Sequence, residues 1–375
     1  MKRTLVVSLL WLPSLLLADV AGAQSASPDP APFSISAEAL LWWFKDNATP
    51  PLVTDGLLGE PGTKVYLGGR DEDTGANPGF RITGSFAVTE RWGVDGSVFY
   101  VPTRSTSRHV SSSGAIGSQD LFVSIVDATI PGESVSNLSS AGEFSGRARE
   151  ELSNSLLGAE LNGTLQLAAG RAWRVDGLAG VRYLRLRERY VFTTSTPNIP
   201  PRPVDVYQTT DLFDTTNDFL GGQLGVRARA DWGAWFATGV AKVALGAMRQ
   251  GVDIEGTLVT NDFNDFGAPI AYPGGGYFAA PTNIGERSRN VFALVPEAGV
   301  TVGYRLTPSL SIVLGYTFLY ASDVVRAPRQ INRTVNYSDS ERPPAVPAGP
   351  QEPSFRFKSS DFWAQGLSVG VAFRF

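Results

Sequence analysis

Residues Asp361 to Phe375 read DFWAQGLSVGVAFRF, and from Leu367 onward every second side chain is apolar: Leu367, Val369, Val371, Phe373 and Phe375. Ala364, Gly366, Ser368, Gly370, Ala372 and Arg374 fall on the opposite face. A period of two marks a β-strand, because successive side chains point to opposite sides of the sheet. The same period recurs through the chain in pairs of segments joined by short turns. That pattern predicts an all-β, antiparallel fold built from hairpins.

Ser34 to Lys45 sets Ile35, Ala37, Ala39, Leu41 and Trp43 against Ser36, Glu38 and Trp42. In the first hairpin Phe80, Ile82, Phe86 and Val88 oppose Arg81, Thr83 and Ser85; past Glu90-Arg91, Trp92, Val94, Val98 and Tyr100 oppose Asp95 and Ser97. The second sets Leu157, Ala159, Leu161 and Leu165 against Glu160, Asn162 and Thr164. It turns at Gly170-Arg171 and returns through Trp173, Val175, Val181 and Tyr183, opposite Arg174, Asp176 and Arg182. The third sets Leu220, Leu224 and Val226 against Gln223, Arg227, Arg229 and Asp231, and returns through Trp235, Ala241 and Val243 opposite Lys242. The fourth sets Val300, Val302 and Tyr304 against Glu297, Thr301 and Arg305, then runs back from Leu310 to Tyr320. Near Arg185, Arg187 and Arg189 the alternation blurs, as at a bulge or where a strand leaves the membrane.

Short turns near Glu90, Gly170, Trp232 and Thr307 alternate with long loops near residues 46–78, 103–154, 194–215, 255–288 and 326–358. Short periplasmic turns, long extracellular loops and an even strand number describe a transmembrane up-and-down β-barrel. About ten strands are expected, or twelve if the apolar piece from Leu121 to Ile130 adds a hairpin rather than an excursion outside the bilayer. Aromatics near the ends of the apolar faces, among them Trp43, Trp92, Trp173, Trp235, Tyr304 and Tyr320, suit interfacial girdles.

The first residues fit that destination. Lys2 and Arg3 precede an apolar run from Leu5 to Leu17 and then Ala21-Gly22-Ala23. This is the order of a secretory signal peptide. The run is shorter than the ~20 residues of a membrane-spanning helix. Residues 1–23 are therefore expected as a cleaved signal, 24–33 as a linker and 34–375 as the barrel domain. No later segment offers 18 uninterrupted apolar residues. A membrane crossing would have to be a closed barrel, because open sheet edges cannot face lipid. The spacing of Ser368, Gly370, Phe373 and Phe375 resembles the C-terminal signal by which outer-membrane barrels are assembled. Outer-membrane lipid and the barrel assembly machinery are thus the expected partners, with small solutes as candidates.

The alternative, a secreted β-sandwich, would place the apolar face inside and the charges outside. In a barrel, an Arg facing the lipid midplane costs ~2–4 kcal/mol. A one-residue register slip would send Arg174, Arg182, Arg227 and Arg229 into lipid together, at a cost on the order of 10 kcal/mol. The inward set then comprises Glu38, Arg81, Asp95, Glu160, Arg174, Asp176, Arg182, Arg227, Arg229, Asp231, Lys242, Glu297, Arg305 and Arg374. These charges suit either a selective constriction or a salt-bridged filling of a closed barrel. About eight strands give a filled interior and about sixteen a water channel, so ten to twelve point to a narrow or occluded lumen.

Other chemistries find little material. The chain has no Cys, one His and a net charge of −4, which leaves no disulfides, no thiolate metal site and no footprint for nucleic acid. No cofactor and no enzymatic activity are expected. His109 stands in a Ser-rich segment, Asp71-Glu72-Asp73 lacks a spaced calcium ligand set, and Gly274-Gly275-Gly276 opens no strand-to-helix phosphate cradle.

Several stretches, in this order, resemble the putative beta-barrel porin-7 family of planctomycete bacteria. They include Leu41-Trp42-Trp43, Leu58-Gly59-Glu60-Pro61-Gly62-Thr63, Leu157-Gly158-Ala159-Glu160-Leu161-Asn162, Gly180-Val181-Arg182-Tyr183-Leu184, Asn217-Asp218-Phe219-Leu220-Gly221-Gly222-Gln223 and Gly315-Tyr316-Thr317-Phe318-Leu319-Tyr320. The resemblance spans almost the whole expected mature chain and implies an outer-membrane barrel without a defined substrate. It departs at Arg326 to Asn332, where acidic residues would be expected near Gln330. Two functions follow as expectations: porin-like passage of small solutes through a narrow charged lumen, or a closed structural or surface-interaction barrel that presents its loops.

Overall fold

The computed structural model describes residues 33–72, 75–130, 132–203, 205–262, 266–336, 346 and 348–375. Ten long strands form one sheet: β1 (Phe33–Phe44), β2 (Asn77–Ala87), β3 (Trp92–Ser112), β4 (Gly146–Ala169), β5 (Trp173–Ser195), β6 (Tyr207–Trp232), β7 (Trp235–Thr260), β8 (Gly285–Arg305), β9 (Leu310–Val325) and β10 (Ser359–Arg374). Each pairs antiparallel with its chain neighbours, and β1 pairs with β10, from Ser34↔Arg374 to Phe44↔Ala364. The sheet closes, which removes every edge from the lipid. The expected ten-stranded up-and-down barrel is the observed architecture.

The wall is apolar outside. Leu220, Leu224 and Phe292 are 62, 65 and 69% exposed, whereas inward Trp42, Phe219 and Phe362 are 0% exposed. A soluble protein rarely leaves so continuous an apolar surface uncovered; a membrane supplies the missing neighbour. Trp92, Trp173, Trp232, Trp235 and Tyr304 ring the turn end, where Trp235 packs edge-on against Tyr304 with centroids 4.9 Å apart.

The strands run longer than the alternation suggested. β6 and β7 have 26 residues each, against ~9–11 for a bilayer crossing, so the wall continues well above the membrane. That decides between the two readings of Arg185, Arg187 and Arg189: the strand leaves the membrane there, and no bulge interrupts its pairing with β6. β5 keeps an unbroken register with β6 through Ser195. The three arginines stay on the outer face, which passes from lipid to water above Tyr183. The shifts in register lie elsewhere, between Asn154 and Leu156, Gln166 and Ala168, and Ala321 and Val324.

Much of the expected excursion at 103–154 is also wall, since β3 reaches Ser112 and β4 begins at Gly146. The apolar piece does form a hairpin, Leu121–Asp127 with Gly132–Ser139. It does not enter the barrel. It belongs to a small separate sheet with Val53–Thr54, Val65–Leu67 and Thr334–Val335. This sheet caps the loop end, and its Leu52, Val53, Leu67, Val123 and Ile125 pack on inward Leu152, Tyr190, Phe192, Phe213 and Ile254 from the wall.

Two carboxylates from the wall hold the cap down. Asp211 accepts the backbone N–H groups of Phe278 (2.6 Å), Ala279 (2.7 Å) and Tyr277 (3.1 Å). A Cβ on Gly276 would lie 2.2 Å from Asp211 Oδ1, so the loop needs Gly there. Glu188 accepts from Arg326 Nε at 2.8 Å, Asn47 Nδ2 at 3.1 Å and the Ala327 N–H at 3.2 Å.

Candidate functional site

The lumen has three layers. At the turn end a cavity of about 520 Å³ opens between the strands. Thirteen of the fourteen inward charges predicted from sequence line it, from Glu38 on β1 to Arg374 on β10. The fourteenth, Arg305, stands at its rim and pairs with Asp231.

The floor of the cavity is a ring of ion pairs. Glu160 Oε2 lies 3.1 Å from Arg182 Nη2, and Glu160 Oε1 lies 2.7 Å from Lys242 Nζ. Glu297 pairs with the same Arg182, and its Oε1 lies 2.9 Å from Lys242 Nζ. Two carboxylates thus each touch both cations. The side chains of Arg182, Lys242 and Glu297 are 4, 6 and 7% exposed. Charges so far from water are tolerated only when each finds its partners, and this ring cancels two against two. Polar neighbours extend it: Gln223 donates to Glu160 (3.1 Å) and Asn162 (2.5 Å), Asn162 to Asp95 (2.9 Å), and Arg227 to Asp95 (2.6 Å).

Above the ring the lumen turns apolar. Trp42, Phe44, Phe99, Leu184, Leu186, Phe219, Leu319 and Phe362 project inward and pack together. The ring centroids of Trp42 and Phe99 are 5.0 Å apart, and those of Phe44 and Phe362 are 5.5 Å apart. The Arg81 guanidinium stands 5.5 Å from the Trp42 ring and 5.9 Å from Phe99, which joins the charged layer to the plug by cation–π contacts. The third layer is the cap.

Alternation alone missed the plug. The available signal was local: Leu184 and Leu186 beside Tyr183, Phe99 between Val98 and Tyr100, and Phe219 beside Leu220 are apolar on both faces of their strands. Such stretches need burial inside as well as lipid outside.

The remaining candidates fall into place. On β10, Ser368 is buried inside the barrel while Phe373 and Phe375 are exposed on the outer face; Phe375 packs 5.9 Å from the Phe33 ring. A Cβ on Gly370 would lie 2.1 Å from Ala37 O, so β10 needs Gly there to lie against β1. His109 lies exposed on the outer face of β3, opposite Arg149, and no carboxylate bonds to it among the described residues. No group of three metal-ligating side chains occurs among the described residues. Residues 1–32, which include the expected signal peptide, and Asp73 lie outside the described residues. Arg326, in the segment that departs from the family pattern, is 2% exposed and paired with Glu188. The carboxylate there comes from the wall rather than from the loop itself.

A closed antiparallel barrel, apolar toward lipid and charged within, with turns at one end and a large cap at the other, is an outer-membrane β-barrel. The chain belongs to the family described as Putative beta barrel porin-7, whose model matches residues 35–375. No curated protein matches it in sequence. Solved structures similar to it include the outer membrane protease OmpT of Escherichia coli, at 12% identity over 94% of this chain and 99% of that one, with a TM-score of 0.42. A Pseudomonas aeruginosa FadL homologue matches at 10% identity over 92% of this chain and 90% of that one, TM-score 0.24. The P. putida toluene transporter TodX matches at 8% over 93% and 91%, TM-score 0.20. No activity transfers at such identities.

Proposed function

We propose that the protein is a closed outer-membrane barrel whose function lies in the cap it presents outside the cell, not in bulk passage of solute. The observation that carries this reading is the apolar plug between the ion-pair ring and the cap. A hydrated solute would have to displace Trp42, Phe99, Phe219 and Phe362, all at most 6% exposed, and strip the Arg182–Glu160–Glu297–Lys242 ring of partners. Both steps are costly: large core side chains are worth ~3–5 kcal/mol each, and so is a broken buried ion pair. The protein has no catalytic role in this reading. It reaches the membrane through a cleaved signal at residues 1–23, and β10 is handed to the assembly machinery.

The test is single-channel conductance of the refolded protein in planar bilayers. A heat-modifiable, β-rich protein that inserts and stays silent is expected. Stable openings whose ion selectivity changes in Arg227→Ala or Arg229→Ala would overturn the closed reading in favour of porin-like passage. One observation favours that second reading: the charged cavity at the turn end, which already forms half of a pathway.

A further inference from the structure

We propose that the mouth of the lumen at the turn end binds a small oxyanion of the phosphate class, held by Arg229, Arg305 and Arg374 around the ring of Phe236. The three guanidinium carbons lie 4.0, 5.3 and 5.8 Å from that ring's centre. They come from β6, β8 and β10, so barrel closure brings them together although they are far apart in sequence. Phe236 itself is 5% exposed and lies close over its cross-strand neighbour Gly303, where a Cβ would sit 2.1 Å from the ring. The aromatic floor aligns the planar guanidinium groups. Arg229 donates through Nε and Nη2 to Asp231, and Arg305 through Nη2 to Asp231 and through Nη1 to Gly233 O at 2.9 Å, so the donors left for a ligand are those of Arg374 and the remaining N–H groups of the other two.

The charge here is unbalanced. Asp231 is the carboxylate of this cluster, and it is shared: Arg229 Nε lies 3.0 Å away, and Arg305 pairs with the other oxygen. No carboxylate hydrogen-bonds to Arg374 among the described residues; Arg374 stands against two like charges. Three cations and one anion leave an excess of two. The deeper ring, by contrast, cancels. An excess of converging guanidinium groups in a partly dry pocket favours an incoming anion, and forked donors recognise oxyanions in a bidentate manner.

The chemistry separates phosphate from a lone carboxylate. A carboxylate has two oxygens, already the count Asp231 uses on two arginines. A tetrahedral oxyanion offers three or four oxygens, enough to meet the Arg374 fork and the N–H groups of Arg229 and Arg305 that Asp231 and Gly233 O leave. The ligand enters from the turn end, because the plug bars the other side, and could be free phosphate or a phosphate monoester on a larger molecule. This site goes beyond the closed-barrel reading and stands whether or not the plug opens.

The experiment is isothermal titration of the refolded full chain in detergent with inorganic phosphate, against sodium chloride at matched ionic strength. Saturable phosphate binding that chloride does not reproduce is expected. Loss of one charge-assisted pair should weaken it about tenfold or more in Arg374→Gln, with Arg374→Lys intermediate because the charge remains while the fork is lost. Arg202→Gln, on an exposed loop, should bind like the parent, and heat-modifiability on a gel confirms that each variant is folded. Arg305→Gln replaces Arg374→Gln if that variant fails to fold. A phosphate response no different from chloride, or unchanged affinity in the folded variants, overturns the proposal. Titration of glycerol phosphate then separates the sources: tighter binding than inorganic phosphate assigns the site to a monoester, weaker binding to the free ion. The readout needs no bilayer, so it does not depend on whether the barrel conducts.

Discussion

Glu188 on β5 and Arg326 after β9 form an ion pair at 2.8 Å with side chains 0 and 2% exposed, and so clamp the loop that follows β9 across the interior of the barrel. Asn217 repeats the clamp one strand away, donating to Val325 O at 2.8 Å and accepting from Val325 N–H at 2.7 Å. A buried cation left without its partner is costly. Glu188→Ala should destabilise the cap by ~3–5 kcal/mol. Limited proteolysis should then cut between residues 326 and 336 while the membrane-embedded wall remains resistant.

The plug makes a second prediction. Trp42→Ala or Phe219→Ala removes a fully buried ring and should cost ~3–5 kcal/mol, seen as a lower urea midpoint. Because both side chains fill the lumen, the same variants should raise bilayer conductance above that of the parent.

The ion-pair ring gives a third. Glu297→Gln leaves Arg182 and Lys242 with Glu160 alone to neutralise them, and should destabilise the barrel by a few kcal/mol, ~3–5 if little water enters. Pairing it with Lys242→Met removes the excess charge and should recover much of the loss. The non-additivity, measured by urea unfolding of the single and double variants, is the signature of direct coupling.

A fourth concerns pH. Burial pushes Asp211, in the loop-end extension of β6, up from 3.8 to about 6 despite three backbone N–H donors that oppose the shift. The folded cap therefore holds a proton that the unfolded chain has released between those values. Its contribution is fully present below about 3.8 and is lost as pH rises through about 6, on the order of 3 kcal/mol by linkage. Amide protection at Tyr277, Phe278 and Ala279, measured relative to intrinsic exchange rates, should fall between pH 4 and pH 7, and Asp211→Asn should flatten that dependence.

Much of the wall was legible along the chain. Ile35, Leu161, Val226, Val300 and Leu367 all proved outward, and Arg174, Arg182, Arg227 and Lys242 inward, because alternation is a local property of each strand. The hairpin at Leu121 was legible as a segment outside the bilayer, but a wall hairpin stayed open as the alternative, since a mostly apolar strand of seven residues fits a cap as well as a wall. The strand ends were illegible for a different reason: above Tyr183 the outer face meets water, so polarity stops distinguishing it from a loop while the backbone ladder continues.

The sequence by itself determined that this chain is an antiparallel barrel, which face meets lipid, where the short turns fall and which charges point inward. Those properties follow from period two, turn residues and the cost of charge in lipid, and each acts within one or two strands. Only the tertiary structure decided what the inward side chains meet. Trp42 packs on Phe99, Glu160 and Glu297 share the same two cations, and Arg229, Arg305 and Arg374 surround Phe236. These contacts cross the lumen between strands distant in sequence, and they are fixed by closure and stagger of the whole sheet, which no single strand encodes.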